Sequence, residues 1–471
     1  MCGITGTLFT KNINTSSRVD PYSVLTKLSD SDYVINAHEI DELHKFSLMY
    51  KSDINFINYF ESQRERKTIK RIVKVYQEKS GPLVKNNITH MKKYDTNSWA
   101  DNRDKILDTI WFLDDELTHR YNFVKNYLDQ KEKHPRHTLQ FFKTLNSIIN
   151  SIDLLEMRGR DSLGLCLQFV LKPTERNLEW YKTNEIKIQH LSAIVDNKIV
   201  IHAIYRTFNR IGALGENSKK VLHLFRADKT IMDLIKSGRY DSISIVAHTR
   251  WASVGSVNQE NVHPLVNLKR PTIQIPTILS FVNGDIYNYK KIYNNMIWEE
   301  NVDYNFNEKS DSIALSYLFS EKGSFSSVGG IRRKLKNIVG SITSIVLSDE
   351  DPSKVLLIKK GNQGMFLGKN NDRIYFASDA YGLIDDCDQV YNLDDECFGL
   401  LELESMELGI KLNGINSTIE KRIQYTDYDK VIITSRDVSK KSFKHYLIKE
   451  IYETGDIVES TLRKYIKHEV R

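Results

Sequence analysis

The chain has 471 residues, 40% of them hydrophobic and 27% charged, a composition typical of a folded protein with one large domain or several smaller ones. Its 67 lysines and arginines are interleaved with 61 aspartates and glutamates, so the net charge of +6 indicates no dedicated nucleic-acid surface. No apolar run is long enough to span a bilayer, and we expect no membrane partner. The four cysteines include no Cys-x-x-Cys pair, which argues against a disulfide framework or zinc site and favours a reducing, cytoplasmic compartment.

The N-terminus, Met1-Cys2-Gly3, is a candidate nucleophile. Once Met1 is removed, Cys2 carries a thiol and a free α-amine on one carbon, and an α-amine is partly neutral near pH 7 and able to accept a proton. A cysteine in second place also occurs by chance, so this interpretation depends on the residues that follow. Residues 2–10 have the pattern of a buried first strand.

The next part of the chain has a helical pattern. Between about residues 30 and 156 glycine almost disappears and apolar residues recur at helical spacing, as in Ile106, Ile110 and Leu117. We predict an all-α insertion over 11–150. Its role is open between a scaffold, a regulatory contact and a guard over the Cys2 pocket.

Strand signals resume at Arg158-Gly159 and continue to about residue 402. Helical stretches at 229–236 and 311–320 lie between them. Many short strands with a few helices predict an α+β layered domain of stacked antiparallel sheets covered by helices. Val431-Ile432-Ile433 is a candidate last strand, and amphipathic helices are predicted over 443–453 and 457–466. The predicted strands of the layered domain are 165–171, 198–206, 243–249, 277–282, 340–347, 354–359, 373–377 and 397–402.

A candidate carboxylate-binding group follows the predicted strand at 243–249. Arg250 stands at the end of this strand, beside Trp251 and the hydroxyl of Ser253. A guanidinium binds a carboxylate through two parallel hydrogen bonds, so this position suits capture of a substrate carboxylate. The alternative is a surface arginine in an ion pair.

Two further segments carry candidate chemistry. Asn283-Gly284 follows an apolar strand and suits either a hairpin turn or an oxyanion hole, in which a side-chain amide and the next backbone N–H point to one spot. Asp311 stands just before an apolar helix. It would serve either as part of the helix N-cap or as a carboxylate for a substrate ammonium.

Together these segments resemble the class II, N-terminal nucleophile glutamine amidotransferases, and within them the glutaminase domain of the glutamine–fructose-6-phosphate amidotransferases (glucosamine-6-phosphate synthases). His248-Thr249-Arg250-Trp251-Ala252 is identical to a motif of that family. Val282 replaces the histidine that the family has before Asn-Gly, and this change leaves the nucleophile and the oxyanion hole intact. The segments that resemble the family, in the family's order, are 2–4, 158–164, 248–252, 261–264, 283–284, 309–312, 374–379 and 444–453.

The resemblance implies the four-layered αββα sandwich of the N-terminal nucleophile hydrolases, an α+β fold. Residues 1–10 and 151–425 would form it, with 11–150 as the helical insertion. Residues 426–471 would be the hinge segment that leads toward a sugar-isomerase (synthase) domain. We expect the chain to be the glutaminase fragment of a longer protein, and the alternative is delivery of ammonia to a separate subunit.

The resemblance also implies roles for individual residues. Cys2 would attack the side-chain amide of L-glutamine, its own α-amine would shuttle the proton, and Asn283 with the Gly284 N–H would stabilise the oxyanion. Arg250 would bind the α-carboxylate and Asp311 the α-ammonium. The implied catalytic residues are Cys2, Asn283 and Gly284, and the implied substrate-binding residues are Arg250, Trp251, Ser253, Asp311, Arg158 and His263.

No metal or other cofactor is implied. Ammonia would pass to a fructose-6-phosphate-like sugar phosphate, bound by a synthase domain of the same longer chain or of a separate subunit, and the complete protein would be a homo-oligomer. Two alternatives stay open. One is an N-terminal-cysteine amidase acting on another amide, which the pair Arg250 and Asp311 disfavours. The other is a catalytically silent amidotransferase domain kept as a regulatory or assembly module, which an intact Met1 would favour.

Overall fold

The computed structural model of the chain contains two compact units. Met1–Thr15 and Phe123–Ile432 form the first, which we call the sheet unit, and Ser16–Asn122 and Ile433–Arg471 form the second, the helical unit. The structure describes residues 2–16, 18–30, 35–85, 96–129, 132–184, 190–208, 214–251, 257–267, 275–297, 310–325, 327–370, 372–404, 409–431, 433–439, 443 and 445–465.

The sheet unit contains two antiparallel sheets. The described strands are β1 Gly3–Thr10, β2 Ser162–Leu171, β3 Leu191–Val195, β4 Lys198–Phe208, β5 Ser242–Arg250, β6 Leu265–Val266, β7 Ile278–Ile286, β8 Gly340–Ser348, β9 Lys354–Lys360, β10 Phe366–Lys369, β11 Ile374–Ala377, β12 Gln389–Asn392, β13 Cys397–Glu402, β14 Ile410–Gly414, β15 Glu420–Ile423 and β16 Asp429–Lys430. The first sheet has the order β16-β12-β10-β11-β1-β5-β2-β4-β3 and the second the order β15-β14-β13-β9-β8-β7-β6.

Helices flank both sheets. Those of the sheet unit are α7 Arg136–Leu155, α8 Glu175–Asn184, α9 Glu216–Ala227, α10 Lys229–Ser237, α11 Tyr289–Ile297, α12 Ile313–Leu318 and α13 Val328–Lys336, with single 3-10 turns at Glu156–Arg158, Gln259–Asn261, Ala380–Gly382 and Tyr425–Asp427. Those of the helical unit are α1 Pro21–Asp30, α2 Ala37–Met49, α3 Asp53–Glu61, α4 Gln63–Lys85, α5 Thr96–Trp111, α14 Ser435–Val438 and α15 Tyr446–Tyr465. A π-helical turn, Phe112–Glu116, leads from α5 into α6 Leu117–Lys125, which crosses from the helical to the sheet unit.

The two sheets pack face to face with helices outside, which confirms the predicted αββα layering. Ile4 and Val246 of the first sheet share one buried cluster with Phe281 and Leu357 of the second. The other face of the second sheet packs on α11, α12 and α13. On the first sheet α7 covers β1 and β5, and α9 covers β2 and β4. Every residue of β2 and β5 is buried, because both faces of this sheet are covered.

The helical unit has its own apolar core, built from residues of α2, α3 and α4 such as Phe46, Phe56 and Ile72. Arg436 of α14 binds the carboxylate of Asp108 on α5 at 2.6 Å, which joins the C-terminal segment to the helices of this unit. None of the described helices is both long and apolar enough to cross a membrane.

The structure places several boundaries elsewhere than the sequence pattern predicts. The predicted insertion over 11–150 includes α7, but α7 belongs to the sheet unit because it packs on β1 and β5. Helical periodicity shows which face of a helix is apolar and not which element covers it. The predicted hinge, 426–471, is divided, because its residues from Ile433 onward group with the helical unit.

The C-terminal elements also differ from their predicted form. The short strand β16 ends just before the predicted strand at 431–433, of which residue 432 lies outside the described residues. The two predicted C-terminal helices are one helix, α15, because Gly455 does not interrupt it. The eight strands predicted after residue 160 all exist, whereas β3, β6, β10, β12, β14 and β15 were not predicted, since two to five residues carry too little periodicity.

We predict that Gly6→Ala lowers the free energy of unfolding by about 2 kcal/mol, as overpacking does in a filled core. A Cβ at Gly6 would lie 2.5 Å from the Ile245 carbonyl oxygen and 2.6 Å from the Phe376 ring. Gly81→Ala is the matched control, since a Cβ at this position in α4 meets nothing within 4 Å and alanine favours helix. Urea denaturation of both variants measures the difference, and equal stabilities would contradict this account of the β1 packing.

Candidate active site

Cys2 lies at the end of β1, beside the end of β5. In the antiparallel register Gly3 pairs with Thr249 and Ile4 with His248, so the same register places Cys2 opposite Arg250, at the end of β5. The Trp251 N–H points at the Cys2 Sγ atom at 3.2 Å. Burial raises the pKa of the Cys2 thiol, against the opposing effects of the Trp251 N–H and the Arg250 charge. The thiol therefore needs a proton acceptor before it can act as a nucleophile.

Asn283 and Gly284 lie inside β7 and not in a hairpin turn, so the turn alternative is wrong. They pair with Thr343 and Ile342 of β8. The Asn283 Nδ2 atom donates a hydrogen bond to the Cys2 carbonyl oxygen at 2.8 Å, which brings this amide beside the thiol-bearing residue. Gly284 has a φ of +103°, and a Cβ there would collide with the Ser341 carbonyl oxygen. Only glycine both adopts this positive φ without strain and lacks the Cβ that would collide.

Arg250 is a buried residue, 4% exposed, so the alternative of a surface ion pair is wrong. Burial lowers the pKa of the Arg250 guanidinium, while the charges of Cys2, Asp161 and Asp311 raise it. These groups therefore lie within electrostatic reach of one another. A guanidinium stays protonated despite such burial, so the site holds a fixed cation.

Asp311 is also buried and is held by the strand of the oxyanion-hole candidate. Its Oδ2 atom accepts the Ile286 N–H at 2.7 Å, and the hydroxyls of Ser310 and Ser312 each donate to Oδ1 at 3.3 Å. Burial raises the pKa of Asp311, and the hydrogen bond from Ile286 opposes this shift. The helix α12 begins at Ile313 with Ser312 as its N-cap residue, so Asp311 is not that residue.

The glycines of the segment 158–164 allow close backbone approach beneath the site. A Cβ at Gly159 would lie 2.6 Å from the carbonyl carbon of Arg250, and one at Gly164 would collide with the His263 carbonyl oxygen. The Asp161 N–H also donates to the Arg250 carbonyl at 3.1 Å. This segment therefore fixes the end of β5, where Arg250 lies.

Arg158 lies in an ion pair with Asp379. The neighbouring Ser378 hydroxyl accepts the Ile4 N–H at 3.0 Å, and the Ser378 N–H donates to the Ile4 carbonyl at 2.8 Å. Arg158 is therefore joined to the segment that holds β1 in position. Asp379 and Ser378 were missed as functional candidates, although their Ser-Asp pattern is one of the segments that resemble the family.

The remaining predicted residues divide by exposure. His263 is 2% exposed, with its ring centroid 3.9 Å from that of His248, so it lies in the interior and away from solvent. Trp251 is 58% exposed, beside the Cys2 thiol. Ser253 lies outside the described residues. The described residues contain no cluster of side chains suited to hold a metal ion.

Comparisons with known proteins agree with this arrangement. The family model of the glutamine amidotransferase domain matches residues 237–441, which include Arg250, Asn283 and Asp311. The chain contains a class II glutamine amidotransferase domain. The glutamine–fructose-6-phosphate aminotransferase (isomerizing) of Chlorobaculum tepidum is 25% identical over 228 residues, 48% of this chain and 34% of the relative. That of Aquifex aeolicus is 23% identical over 269 residues, 56% of this chain and 42% of the relative.

The chain spans only 34% and 42% of the lengths of these two relatives. A solved structure of the glutamine phosphoribosylpyrophosphate amidotransferase of B. subtilis aligns at a TM-score of 0.39 and 12% identity, over 59% of this chain and 48% of that chain. The sheet order and the layer packing of this chain, described above, define its fold.

The buried histidines of the amidotransferase domain predict loss of stability in acid. Burial lowers the pKa of His248 to about 3 and holds that of His263 well below its usual range. Both stay neutral in the folded state while the unfolded chain binds protons below about pH 6.5, so stability is full above that pH and falls by about 1.4 kcal/mol per pH unit for each histidine as pH decreases. We expect His263→Gln to reduce this slope between pH 6 and 4.

The matched control is His223→Gln, which replaces an exposed histidine on α9. Urea denaturation at several pH values gives the slope for each variant. The interpretation fails if His263→Gln and His223→Gln keep the slope of the unchanged chain.

Proposed function

We propose that the chain hydrolyses L-glutamine to glutamate and ammonia through a γ-glutamyl thioester on Cys2. The observation that carries this proposal is the convergence of three groups on Cys2: the Asn283 amide, 2.8 Å from its carbonyl, the Trp251 N–H, 3.2 Å from its thiol, and the buried cation of Arg250. The Cys2 thiol would be the nucleophile, the Asn283 amide the oxyanion donor and the Arg250 guanidinium the anchor for an anion.

In the first step the Cys2 sulfur bonds to the side-chain carbonyl carbon of glutamine, and the C=O electrons move to oxygen. The α-amine of Cys2, free once Met1 is removed, accepts the thiol proton. The Asn283 amide and the Gly284 N–H stabilise the oxyanion. The C–N bond then breaks, the amine returns its proton to the leaving nitrogen, and ammonia departs. Water then adds to the thioester carbonyl carbon and gives a proton to the amine. The C–S bond breaks, the thiolate takes that proton back, and glutamate is released.

Two buried charges would select a free amino acid. Arg250 would bind the α-carboxylate and Asp311 the α-ammonium, and both are at most 5% exposed, so their interactions are strong in a low dielectric. An amide that is not a free amino acid would offer neither a carboxylate to Arg250 nor an ammonium to Asp311, which disfavours a general amidase. Trp251 would cover the bound substrate. Ser253, which lies outside the described residues, would add a hydroxyl contact with the carboxylate.

We also propose that ammonia passes to a sugar-phosphate acceptor. This rests on the names of the relatives, which are isomerizing fructose-6-phosphate aminotransferases, and on the 34% of such a relative that the chain spans. The acceptor site would lie on a synthase domain, either in the same longer chain or in a separate subunit. Residues 426–471 would connect to it as the hinge.

We predict that Cys2→Ala abolishes glutamate release and that Asn283→Ala lowers kcat by about 10²–10³ with little change in KM, because the amide acts on the oxyanion and not on bound glutamine. The measurement is glutamate release by the purified chain, with intact mass recorded to establish removal of Met1. Turnover that persists in Cys2→Ala would overturn the thioester mechanism. Absence of turnover in the Met-free chain would favour a silent regulatory or assembly module.

Substrate variants separate the roles of the two charges. We expect Arg250→Lys to raise KM for glutamine at least 10-fold and to lose most of the preference for glutamine over its α-methyl ester, because lysine lacks the planar fork. Asp311→Asn is the matched control: it should keep that preference and lose the preference for glutamine over its N-acetyl derivative. If both variants lose both preferences equally, the assignment of one charge to each group is wrong.

A further inference from the structure

We propose that α15 pairs with α15 of a second copy of the chain, as an antiparallel helix pair about a two-fold axis. This inference concerns the helical unit and does not rest on the proposed hydrolysis of glutamine.

The polarity of α15 is inverted for a helix that packs only on its own unit. Lys449 is 4% exposed, and its ammonium binds the backbone carbonyl of Asp437 and the carboxylate of Glu453, the latter at 3.5 Å. A surface helix normally buries its apolar side and exposes its charged side. The exposed large apolar side chains of the described part of α15 are Leu447, Ile448, Ile451, Tyr452, Ile457, Val458 and Leu462. Four of them, Leu447, Ile451, Val458 and Leu462, are 66%, 63%, 50% and 51% exposed.

These four side chains form one line, which we call the apolar stripe. At 3.6 residues per turn they fall within about 60° around the helix axis, and they extend over about 22 Å along it. The buried Lys449 lies on the far side of the helix from the stripe. A continuous apolar stripe of this kind marks a protein interface.

The spacing of the apolar stripe is the same in both chain directions. Leu447 and Leu462 lie equally far from the midpoint between Thr454 and Gly455, and so do Ile451 and Val458. Two copies in antiparallel contact about this midpoint therefore place each leucine opposite a leucine and each isoleucine opposite a valine. Self-complementarity of this kind is what a two-fold dimer interface requires.

The midpoint itself allows close approach. Gly455 has no side chain, and a Cβ built there meets nothing within 4 Å. The distance between two packed helices depends on the side chains at their crossing point, and a glycine there permits a short distance. Thr454, the other central residue, is small and exposed.

The charges of α15 disfavour a membrane as the occupant, since helices that lie on membranes carry a basic polar face. A standard stable interface buries about 800 Å² of surface per partner, and a single helix from each copy buries less than this. We therefore expect a reversible dimer that dissociates on dilution. The helix carries acidic Glu450, Glu453, Asp456 and Glu459 against basic Lys449, Arg463 and Lys464.

Sedimentation velocity of the full chain over a range of concentrations tests the dimer. We expect a monomer–dimer equilibrium whose dissociation constant rises at least 100-fold in the double variant Ile451→Glu/Val458→Glu, because the pairing brings these like charges together. Ile419→Glu is the matched control, since Ile419 is 69% exposed on the turn between β14 and β15. Circular dichroism establishes that all variants stay folded.

Oxidative cross-linking tests the direction of pairing. Gly455→Cys lies at the two-fold axis and should form a disulfide-linked dimer. Leu447→Cys should not, because its two copies lie about 22 Å apart in the antiparallel arrangement. Gly329→Cys is the matched control, since Gly329 on α13 is likewise open to solvent.

Each contrary result overturns the proposal. A monomer at all concentrations excludes the second copy, and a dimer that survives Ile451→Glu/Val458→Glu must use another surface. Cross-linking of Leu447→Cys would show parallel pairing. Binding to phosphatidylcholine–phosphatidylserine vesicles that the double variant abolishes would assign the apolar stripe to a membrane.

Discussion

The antiparallel pairing of β1 with β5 is the constraint on which the candidate site depends. Eight consecutive residue pairs, from Gly3 with Thr249 to Thr10 with Ser242, leave one possible register. That register places Cys2 opposite Arg250 and within hydrogen-bond distance of Trp251, which is 249 positions away in the chain. Because both strands are central in the first sheet and covered on both faces, neither end can shift without disturbing the buried core.

The site combines buried charged side chains with close contacts between the backbone of the segment 158–164 and the end of β5. Arg250 and Asp311 are held in place before any substrate arrives, the first by the backbone of the segment 158–164 and the second by the β7 backbone. In the proposed reaction, such preorganisation would keep the reorganisation energy low. Burial keeps the pKa values of His248 and His263 low, so both side chains stay neutral and add no charge to the interior beside the site.

The two units of the chain have different relations to known proteins. The family match, 237–441, lies almost entirely in the sheet unit, whereas the helices α1–α5 lie outside it. The helical unit has its own buried apolar core, and the apolar stripe of α15 is exposed outside that core. Exposed apolar area is costly in water, and this is the physical basis of the proposed pairing of α15 with a second copy.

The sequence by itself determined the layered α+β class and the eight main strands, and it predicted Cys2, Arg250, Asn283 and Asp311 as site residues. Alternation and short motifs can be read from neighbouring residues, which is why these predictions were possible. It could not determine that α7 belongs to the sheet unit, since periodicity does not identify the element a face packs against. Only the tertiary structure decided that Asn283-Gly284 lies within a strand and that His263 is interior, because both depend on strand pairing between residues distant in the chain.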